Sequence, residues 1–255
     1  MVANFVNDGG GNNPTGAING KFTINSNGDQ VCFSQGNLQY QASTDTWRFA
    51  ENQWDYVGEA NANISPTYDG WIDLFGWGTG DNPTNSSTSN SDYSNFTDWG
   101  ANSISNGGNQ ANTWRTLTYD EWNYLMFNRI TTSGIRYAKA SLNGVNGVIV
   151  LPDDWNASYY MLNNTNSTSA GFASNTITLD DWEGILETNG VVFLPVAGAR
   201  DGTSVFDVGT LGHYWSSTPN DSGDAGYLYF YSNFLYLKYD RLPRNGHSVR
   251  LVADE

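Results

Sequence analysis

"TLTYDEWNYLMFNR" (116–129) is the stretch that decides the fold, because it contains both the start signal and the buried face of a helix. Thr118 is a candidate N-cap, and Glu121 follows three residues later, at the spacing of a capping box. The apolar residues that follow recur at the i, i+3, i+4 spacing of one helix face: Trp122, Leu125 and Met126. We therefore expect a helix near 118–129 that packs through its tryptophan.

A second segment, "TITLDDWEGILETNG" (176–190), repeats the same signals. Thr178 and Asp181 form another start signal, and Gly190 is suited to end a helix in the left-handed conformation. The apolar face again begins with a tryptophan: Trp182, Ile185 and Leu186. This pattern predicts a helix near 178–188.

Short β segments precede the first predicted helix. Asn27-Gly28 predicts a hairpin turn between "KFTIN" (21–25) and "VCFSQGNLQYQ" (31–41). Further along the chain, "WRFA" (47–50) and "WDYV" (54–57) continue the β pattern.

More strands separate and follow the two helices. "IRYAKASLNGVNGVIVLPDDW" (135–155) predicts two strands around Asn143-Gly144 and Asn146-Gly147. Four later segments also have β character: "VVFLPVAGAR" (191–200), "GHYWSST" (212–218), "YLYFYSNFLYLKYD" (227–240) and "SVRLV" (248–252). Strands, helix, strands, helix and then many short strands predict a loop-rich α+β fold.

The composition limits the classes of protein and partner. With 255 residues, the chain is long enough for one large domain or two small ones. Its ten tryptophans can bury too much apolar surface for a disordered chain. A formal net charge of −15 argues against a nucleic-acid partner and against docking on anionic lipid. No apolar run approaches the roughly 18 residues that a membrane span needs.

Other features bear on the compartment. Residues 1–18 are rich in Gly and Asn, and we expect a flexible leader ahead of a single domain over 19–255. No signal peptide opens the chain, so we expect any export signal to have preceded this sequence. Cys32 is the only cysteine, which excludes an intramolecular disulfide and favours a buried, inert thiol. The low charge density favours an extracellular or cell-surface location, or a virion.

The order of elements and several motifs resemble the C-type lectin fold of bacterial and phage proteins. "WRTLTYDEWNYL" (114–125) resembles the helix signature of the formylglycine-generating enzyme superfamily, with six residues matching in type: Arg115, Leu117, Thr118, Glu121, Trp122 and Tyr124. "GHYWSST" and "SVRLV" resemble motifs of a family in gut Bacteroidetes. That family includes the Fibrobacter major paralogous domain and the variable proteins of diversity-generating retroelements. The resemblance covers roughly residues 20–252.

The resemblance implies a rigid scaffold with a diversified binding face within 220–247. Diversification of AAC-type codons at adenines does not produce Trp, Met, Lys, Glu or Gln. The segment contains none of these except Lys238, which would then belong to the scaffold. The implied ligand-binding residues are Asn220, Asp221, Asp224, Tyr227, Tyr229, Tyr231, Asn233, Phe234, Tyr236, Tyr239, Asp240, Leu242, Arg244, Asn245 and His247.

Residues 227–240 hold five tyrosines and two phenylalanines in fourteen positions. Alternation predicts that three residues of this stretch point into the core: Leu228, Phe230 and Leu235. It leaves three tyrosines facing outward: Tyr227, Tyr229 and Tyr231. From Ser232 onward we expect irregular, exposed backbone. Exposed tyrosine supplies contact area at low entropy cost; the alternative, that these rings pack against neighbouring loops, stays open.

Candidate catalytic residues are few. Enzymes of the formylglycine-generating type use cysteine pairs, so a chain with one cysteine does not inherit that activity. We expect His213 to be a packed structural residue and His247 to be a variable contact. The acidic pairs at 120–121 and 180–181 are explained by helix N-termini. A two-carboxylate glycosidase is the alternative on residue types alone.

The sequence does not predict a metal site. The chain lacks the Glu-Pro-Asn, Gln-Pro-Asp and Trp-Asn-Asp motifs through which animal lectins of this fold bind sugars with calcium. We expect no metal site and no cofactor, although a structural Ca²⁺ stays open.

Arg250 is expected to be a scaffold residue that alternates with Val249 and Leu251 on the last strand. If it is buried, it needs a carboxylate or several carbonyl partners.

These observations predict a non-enzymatic ligand-binding protein, an adhesin or receptor-binding protein, with a hypervariable C-terminal face. Its partner would be a protein or glycan on another cell or surface, with no nucleic acid and no membrane insertion. Two alternatives stay open: a carbohydrate-active or modifying enzyme on the same fold, and a plain structural surface domain.

Overall fold

A computed structural model describes residues 13–219 and 223–255, with the backbone alone for residues 239–241. Within these residues, short strands predominate: β1 Phe22–Thr23, β2 Gln30–Phe33, β3 Leu38–Gln41, β4 Thr46–Phe49, β5 Trp71–Ile72, β6 Arg115–Thr116, β7 Tyr137–Leu142, β8 Val145–Val150, β9 Thr176–Ile177, β10 Val192–Pro195, β11 Ala199–Asp201, β12 Ser204–Phe206, β13 Gly212–Pro219, β14 Ala225–Tyr231, β15 Phe234–Arg241, β16 Asn245–Gly246 and β17 Leu251–Asp254.

The α-helices are short and continue into π-helical or 3₁₀ segments. Helix α1 spans Tyr119–Asn123 and continues as a π-helical segment at Tyr124–Asn128. Helix α2 spans Leu179–Asp181 and continues through a π-helical segment, Trp182–Leu186, and a 3₁₀ turn, Glu187–Asn189. Other 3₁₀ turns lie at Ala42–Thr44, Gly58–Asn63, Asn90–Tyr93, Trp99–Ala101 and Phe172–Ser174. None of the described helices is long and apolar enough to cross a membrane.

The strands form five small sheets, with strand orders β1-β2-β17-β6, β10-β8-β7-β9, β12-β11-β16, β13-β14-β15 and β4-β3-β5. The last strand, β17, lies between β2 and β6, and its Val252 pairs with Phe33. Both ends of the described chain therefore contribute to one sheet. This mixture of short strands and helices confirms the α+β class.

Both helix starts are confirmed. The Glu121 amide donates to Thr118 Oγ1 at 3.2 Å, and the Thr118 amide donates back to Glu121 Oε2 at 2.7 Å. The Asp181 amide donates to Thr178 Oγ1 at 3.1 Å. Each side-chain bond satisfies an amide that has no partner inside the helix, which is why these local signals predict the starts well.

The helix interiors differ from a regular α-helix. The Arg129 amide donates to the Tyr124 carbonyl at 2.8 Å, five residues back, which closes a π turn. Trp122 and Trp182 are fully buried, as predicted. Gly190 ends the second helix with φ of 76°, the left-handed conformation that glycine adopts without strain.

Some of the predicted strands are confirmed and others are wrong. The hairpins around Gly28 and around Asn143-Gly144 both form. Asn146-Gly147 was predicted as a turn but lies inside β8. The chain has already reversed at Asn143-Gly144, where φ is 48° for Asn143 and 82° for Gly144. The segment 54–57 is not a strand, since the Asp55 amide turns back to the Asn52 carbonyl.

The predicted single strand over 31–41 is two strands in different sheets. The break falls at Gly36, where an added Cβ would lie 2.5 Å from the Ala50 carbonyl oxygen. Only glycine allows the backbones to approach this closely. The chain therefore changes sheet between β2 and β3.

The N-terminal boundary of the packed region lies earlier than predicted. Ile18 is buried, and its amide donates to the Phe33 carbonyl at 2.8 Å. The part of the predicted leader at 13–18 thus packs on the domain, while residues 1–12 lie outside the described residues. Cys32 is buried as expected, and burial raises the pKa of its thiol to about 11, which keeps it protonated and inert.

Arg250 is a buried scaffold residue, as predicted. Its Nη2 donates to Gln53 Oε1 at 2.9 Å and its Nη1 to the Phe193 carbonyl at 3.4 Å. The predicted alternation with Val249 and Leu251 is wrong, since all three side chains are buried. Arg250 comes before β17 begins, at a point covered by β10 and by the Gln53 turn.

Candidate ligand-binding face

The hairpin β14–β15 carries most of the residues predicted to bind a ligand. Its strands pair Tyr229 with Tyr236 and Tyr231 with Phe234. The three residues predicted to point into the core are all buried: Leu228, Phe230 and Leu235. The expectation of irregular backbone from Ser232 onward is wrong over 234–238, because β15 pairs with β14 residue by residue from Phe234 to Lys238 once the two-residue turn is complete. The register shifts between Lys238 and Arg241, where three steps along β15 face two steps along β14.

The opposite side of this hairpin is a row of half-buried side chains, which we call the aromatic face: Tyr229, Tyr231, Phe234, Tyr236 and Lys238. The Phe234 ring centroid lies 4.9 Å from that of Tyr229, 5.3 Å from that of Tyr231 and 5.1 Å from that of Tyr236. Lys238 Nζ lies 5.1 Å from the Tyr236 ring centroid, within the range of a cation–π contact. The rings thus support one another and remain partly open to solvent.

Tyr227 was predicted to face outward with the other tyrosines, and this is wrong. It lies on the same side of β14 but is only 1% exposed. Its ring packs against Trp215 of the neighbouring strand β13, at 6.1 Å between centroids, and against His247, at 5.3 Å. These neighbours cover one end of the face and leave the other end open.

His247 was predicted to be an exposed contact, and it is buried instead. Its amide donates to the Phe75 carbonyl at 2.9 Å, which ties this part of the chain to the interior. Its ring stacks on Trp215 at 4.0 Å and on His213 at 4.6 Å. His213 is also buried, which confirms its predicted role as a packed residue.

The other residues predicted to bind a ligand differ in how far they are buried. Asn245 is 7% exposed and pairs with Asp201 in the sheet, so its predicted exposure is wrong. Arg244 is half-buried and held by Asp201, with Nε donating at 3.1 Å and Nη2 at 3.2 Å. Asn233 is exposed in the turn of the hairpin, whereas Asp224 and Leu242 are half-buried.

Four predicted positions lie outside the part of the chain whose side chains are described. Asn220 and Asp221 lie outside the described residues, as do the side chains of Tyr239 and Asp240. The structure therefore brings together Tyr229, Tyr231, Phe234 and Tyr236, with Asn233 at the hairpin tip.

Sequence reasoning missed two contributors to this region. Lys238 was assigned to the scaffold, yet it shares the aromatic face because it lies at i+4 from Phe234 on one strand. Asp201, on β11, fixes the guanidinium of Arg244. The position of Lys238 could have been found from the period-two pattern of β15. The pairing of Asp201 with Arg244 can be found only from the tertiary fold.

Two acidic residues, one at the start of α1 and one shortly after β8, have structural partners. Glu121 accepts from Arg115 at 2.8 and 2.9 Å in addition to capping α1. Asp153 accepts from Arg129 Nη1 at 2.8 Å and from the Thr23 hydroxyl at 2.6 Å. Within 13–219 and 223–255, no group of three His, Cys, Asp or Glu residues is arranged to hold a metal ion.

One buried carboxylate was not singled out from the sequence. Asp73 is fully buried and accepts from Asn61 Nδ2 and from the Val57 amide, both at 2.8 Å. Burial raises the pKa of this carboxyl group to about 6. Its bonds join the residue that follows β5 to the start and the middle of the Gly58–Asn63 turn, which accounts for its position in the fold.

Comparisons of the chain with protein-family models, with curated proteins and with solved structures give no match. A functional assignment therefore depends on the geometry of the aromatic face and on the sequence motifs.

Proposed function

We propose that this chain is a non-enzymatic binding protein and that its aromatic face contacts a protein or glycan on another cell or surface. The observation that carries the proposal is the row of four half-buried rings on β14 and β15. On the opposite side of the same hairpin, Leu228, Phe230 and Leu235 are buried and Leu237 is half-buried. The proposed activity is that of an adhesin or a receptor-binding protein at a cell surface or on a virion.

The chemistry of the face suits recognition. Tyrosine offers a large apolar ring with a polar tip that tolerates water when no ligand is bound. Such side chains bind at low entropy cost, because they have few rotatable bonds and their neighbours already restrict them. The contacts of Phe234 with Tyr229, Tyr231 and Tyr236 provide this restriction.

We further propose a C-type lectin-like scaffold of the kind used by the variable proteins of diversity-generating retroelements. The support is the resemblance of "GHYWSST" and "SVRLV", together with the separation of core and face within one hairpin. A near-identical template repeat beside the gene, differing at adenines, would test this part of the proposal directly. A flanking sequence without such a repeat or a reverse transcriptase would contradict it.

The binding proposal is tested with a combined variant, Tyr231→Ala, Phe234→Ala and Tyr236→Ala. Binding is screened against surface proteins and a glycan array, and folding is measured by thermal denaturation. Truncating aromatic contact residues costs 2 kcal/mol or more each, roughly, at a binding site, so we expect binding to fall below detection while the fold persists.

The matched control replaces three exposed apolar side chains elsewhere: Ile130, Tyr159 and Met161, which are 89%, 48% and 84% exposed. We expect this control to bind as the original chain does. Binding that survives in the face variant, or that is lost equally in both variants, would refute the proposal. If the face variant unfolds, these rings are core residues and the alternative of loop packing is correct.

A further inference from the structure

A buried lysine lies beneath the tip of the candidate hairpin. Lys139 belongs to β7 and is fully buried. Its Nζ donates to the carbonyl oxygens of Thr168 at 2.9 Å, Tyr231 at 2.7 Å and Phe234 at 2.9 Å. Because β7 and the hairpin belong to different sheets, this one ammonium group joins the two sheets.

Removing the ammonium group of Lys139 from water costs free energy, and its three hydrogen bonds offset that cost. Among the described residues no carboxylate forms an ion pair with Lys139, and burial lowers the pKa of its amino group to about 8. Burying an ammonium group is expensive unless every N–H has an acceptor. All three N–H groups have one here, and the Phe172 ring lies 6.0 Å from Nζ. An apolar side chain would fill the same space without that cost.

The turn that Lys139 contacts is not one of the favoured hairpin turns. Tyr231 and Phe234 form the last pair, so Ser232 and Asn233 make a two-residue loop. Favoured loops of this length need a positive φ at the first position or at both. Neither residue is among the described residues with positive φ, whereas Asn143 and Gly144 in the β7–β8 hairpin both are.

We infer that Lys139 is the positioning residue of the aromatic face, and that its ammonium group holds the β14–β15 turn in place and so fixes Tyr231 and Phe234. The carbonyls that accept from it flank the turn on both sides. The lysine thereby supplies from outside the hairpin the support that the loop sequence lacks. The consequence for binding rests on the proposed function, but the consequence for the hairpin does not.

The test replaces Lys139 with methionine, which keeps the length of the side chain and removes the donor. Amide hydrogen exchange is measured by mass spectrometry without any ligand. We expect exchange over 232–236 to accelerate by about tenfold to hundredfold, the size that losing hydrogen bonds to a charged donor implies. Exchange over β3, Leu38–Gln41, serves as the internal reference and should change by less than about twofold.

Two further variants control this experiment. Lys21→Met removes a surface lysine that pairs with Glu255, and it should leave exchange at 232–236 unchanged. Lys139→Met combined with Ser232→Asn and Asn233→Gly introduces the Asn-Gly pair that favours a two-residue hairpin turn. We expect this triple variant to regain the lost protection. If Lys139→Met alone does not fold, the triple variant should fold.

The outcomes are decisive. Unchanged exchange at 232–236 in Lys139→Met, an equal rise over β3, or no recovery in the triple variant would each overturn the inference. Binding separates this inference from the proposed function. If the original chain binds nothing in the screen but the exchange results hold, the proposed function fails and the role of Lys139 in the hairpin stands. Normal binding by a Lys139→Met chain with a loosened turn would refute the positioning of the face.

Discussion

Replacing Trp122 with alanine tests the packing on which the whole arrangement depends. The indole is fully buried in the core between α1 and the strands. Its ring centroid lies 6.0 Å from that of Phe33, and its Nε1 donates to the Trp215 carbonyl at 3.3 Å. The same side chain therefore links the first helix to β2 and to β13, next to the candidate hairpin.

The size of the effect follows from these contacts. Removing a buried tryptophan leaves a cavity and costs about 3–5 kcal/mol. Loss of the indole bond leaves the Trp215 carbonyl without that donor, which adds about 1 kcal/mol. A chain of this length shifts its midpoint by roughly 2–4 °C per kcal/mol, so a total cost of about 4–6 kcal/mol should lower the midpoint by about 8–24 °C. Trp122→Phe keeps a ring and should cost about 1–3 kcal/mol.

The assay is thermal and urea denaturation followed by far-ultraviolet circular dichroism. Trp71→Ala is the matched control, because that indole is half-buried under the Arg48 guanidinium, 3.8 Å from the ring centroid. Its loss should cost about 2 kcal/mol or less. An unchanged midpoint for Trp122→Ala, or a drop no larger than that of the control, would refute the assigned packing.

Two other predictions concern buried charge. The raised pKa of Asp73 means that the native state holds its proton up to about pH 6, so the free energy of unfolding should fall as pH rises from about 4 to 6. Asp73→Asn should flatten that fall, and a pH series of urea midpoints that leaves the slope unchanged would contradict it. Arg129→Met removes the cation paired with Asp153 and should cost about 3–5 kcal/mol in the same assay, whereas a neutral effect would show that the pair adds nothing.

The sequence predicts best where a signal is local. The cap at Thr118 and the stop at Gly190 depend on neighbours within four residues, and the structure has both. The buried side of the hairpin was also predictable, because the alternation of Leu228 and Phe230 needs only the period of a strand.

The errors about which side chains are exposed share a tertiary cause. Period-two alternation says which side of β14 holds Tyr227, but it cannot say what covers that side, and Trp215 and His247 come from other parts of the chain. The support for the turn is equally distant, since Lys139 lies 92 residues before Tyr231. A lysine in the pattern "YAKASL" (137–142) would be placed in solvent by composition alone.

Side chains on the outer side of β14 are covered at one end of the strand and open to solvent at the other. This difference limits the positions at which the face could vary without loss of the fold. Tyr227 and Tyr231 lie on one side of the same strand, about 14 Å apart at the usual rise of a strand. Tyr227 is fully covered, whereas Tyr231 is half-buried. Substitutions at the covered end must preserve packing with Trp215 and His247, so their cost is that of core truncation. Variation without loss of the fold is therefore restricted to the open end, from Tyr229 through the turn to Lys238, where each ring has a solvent side.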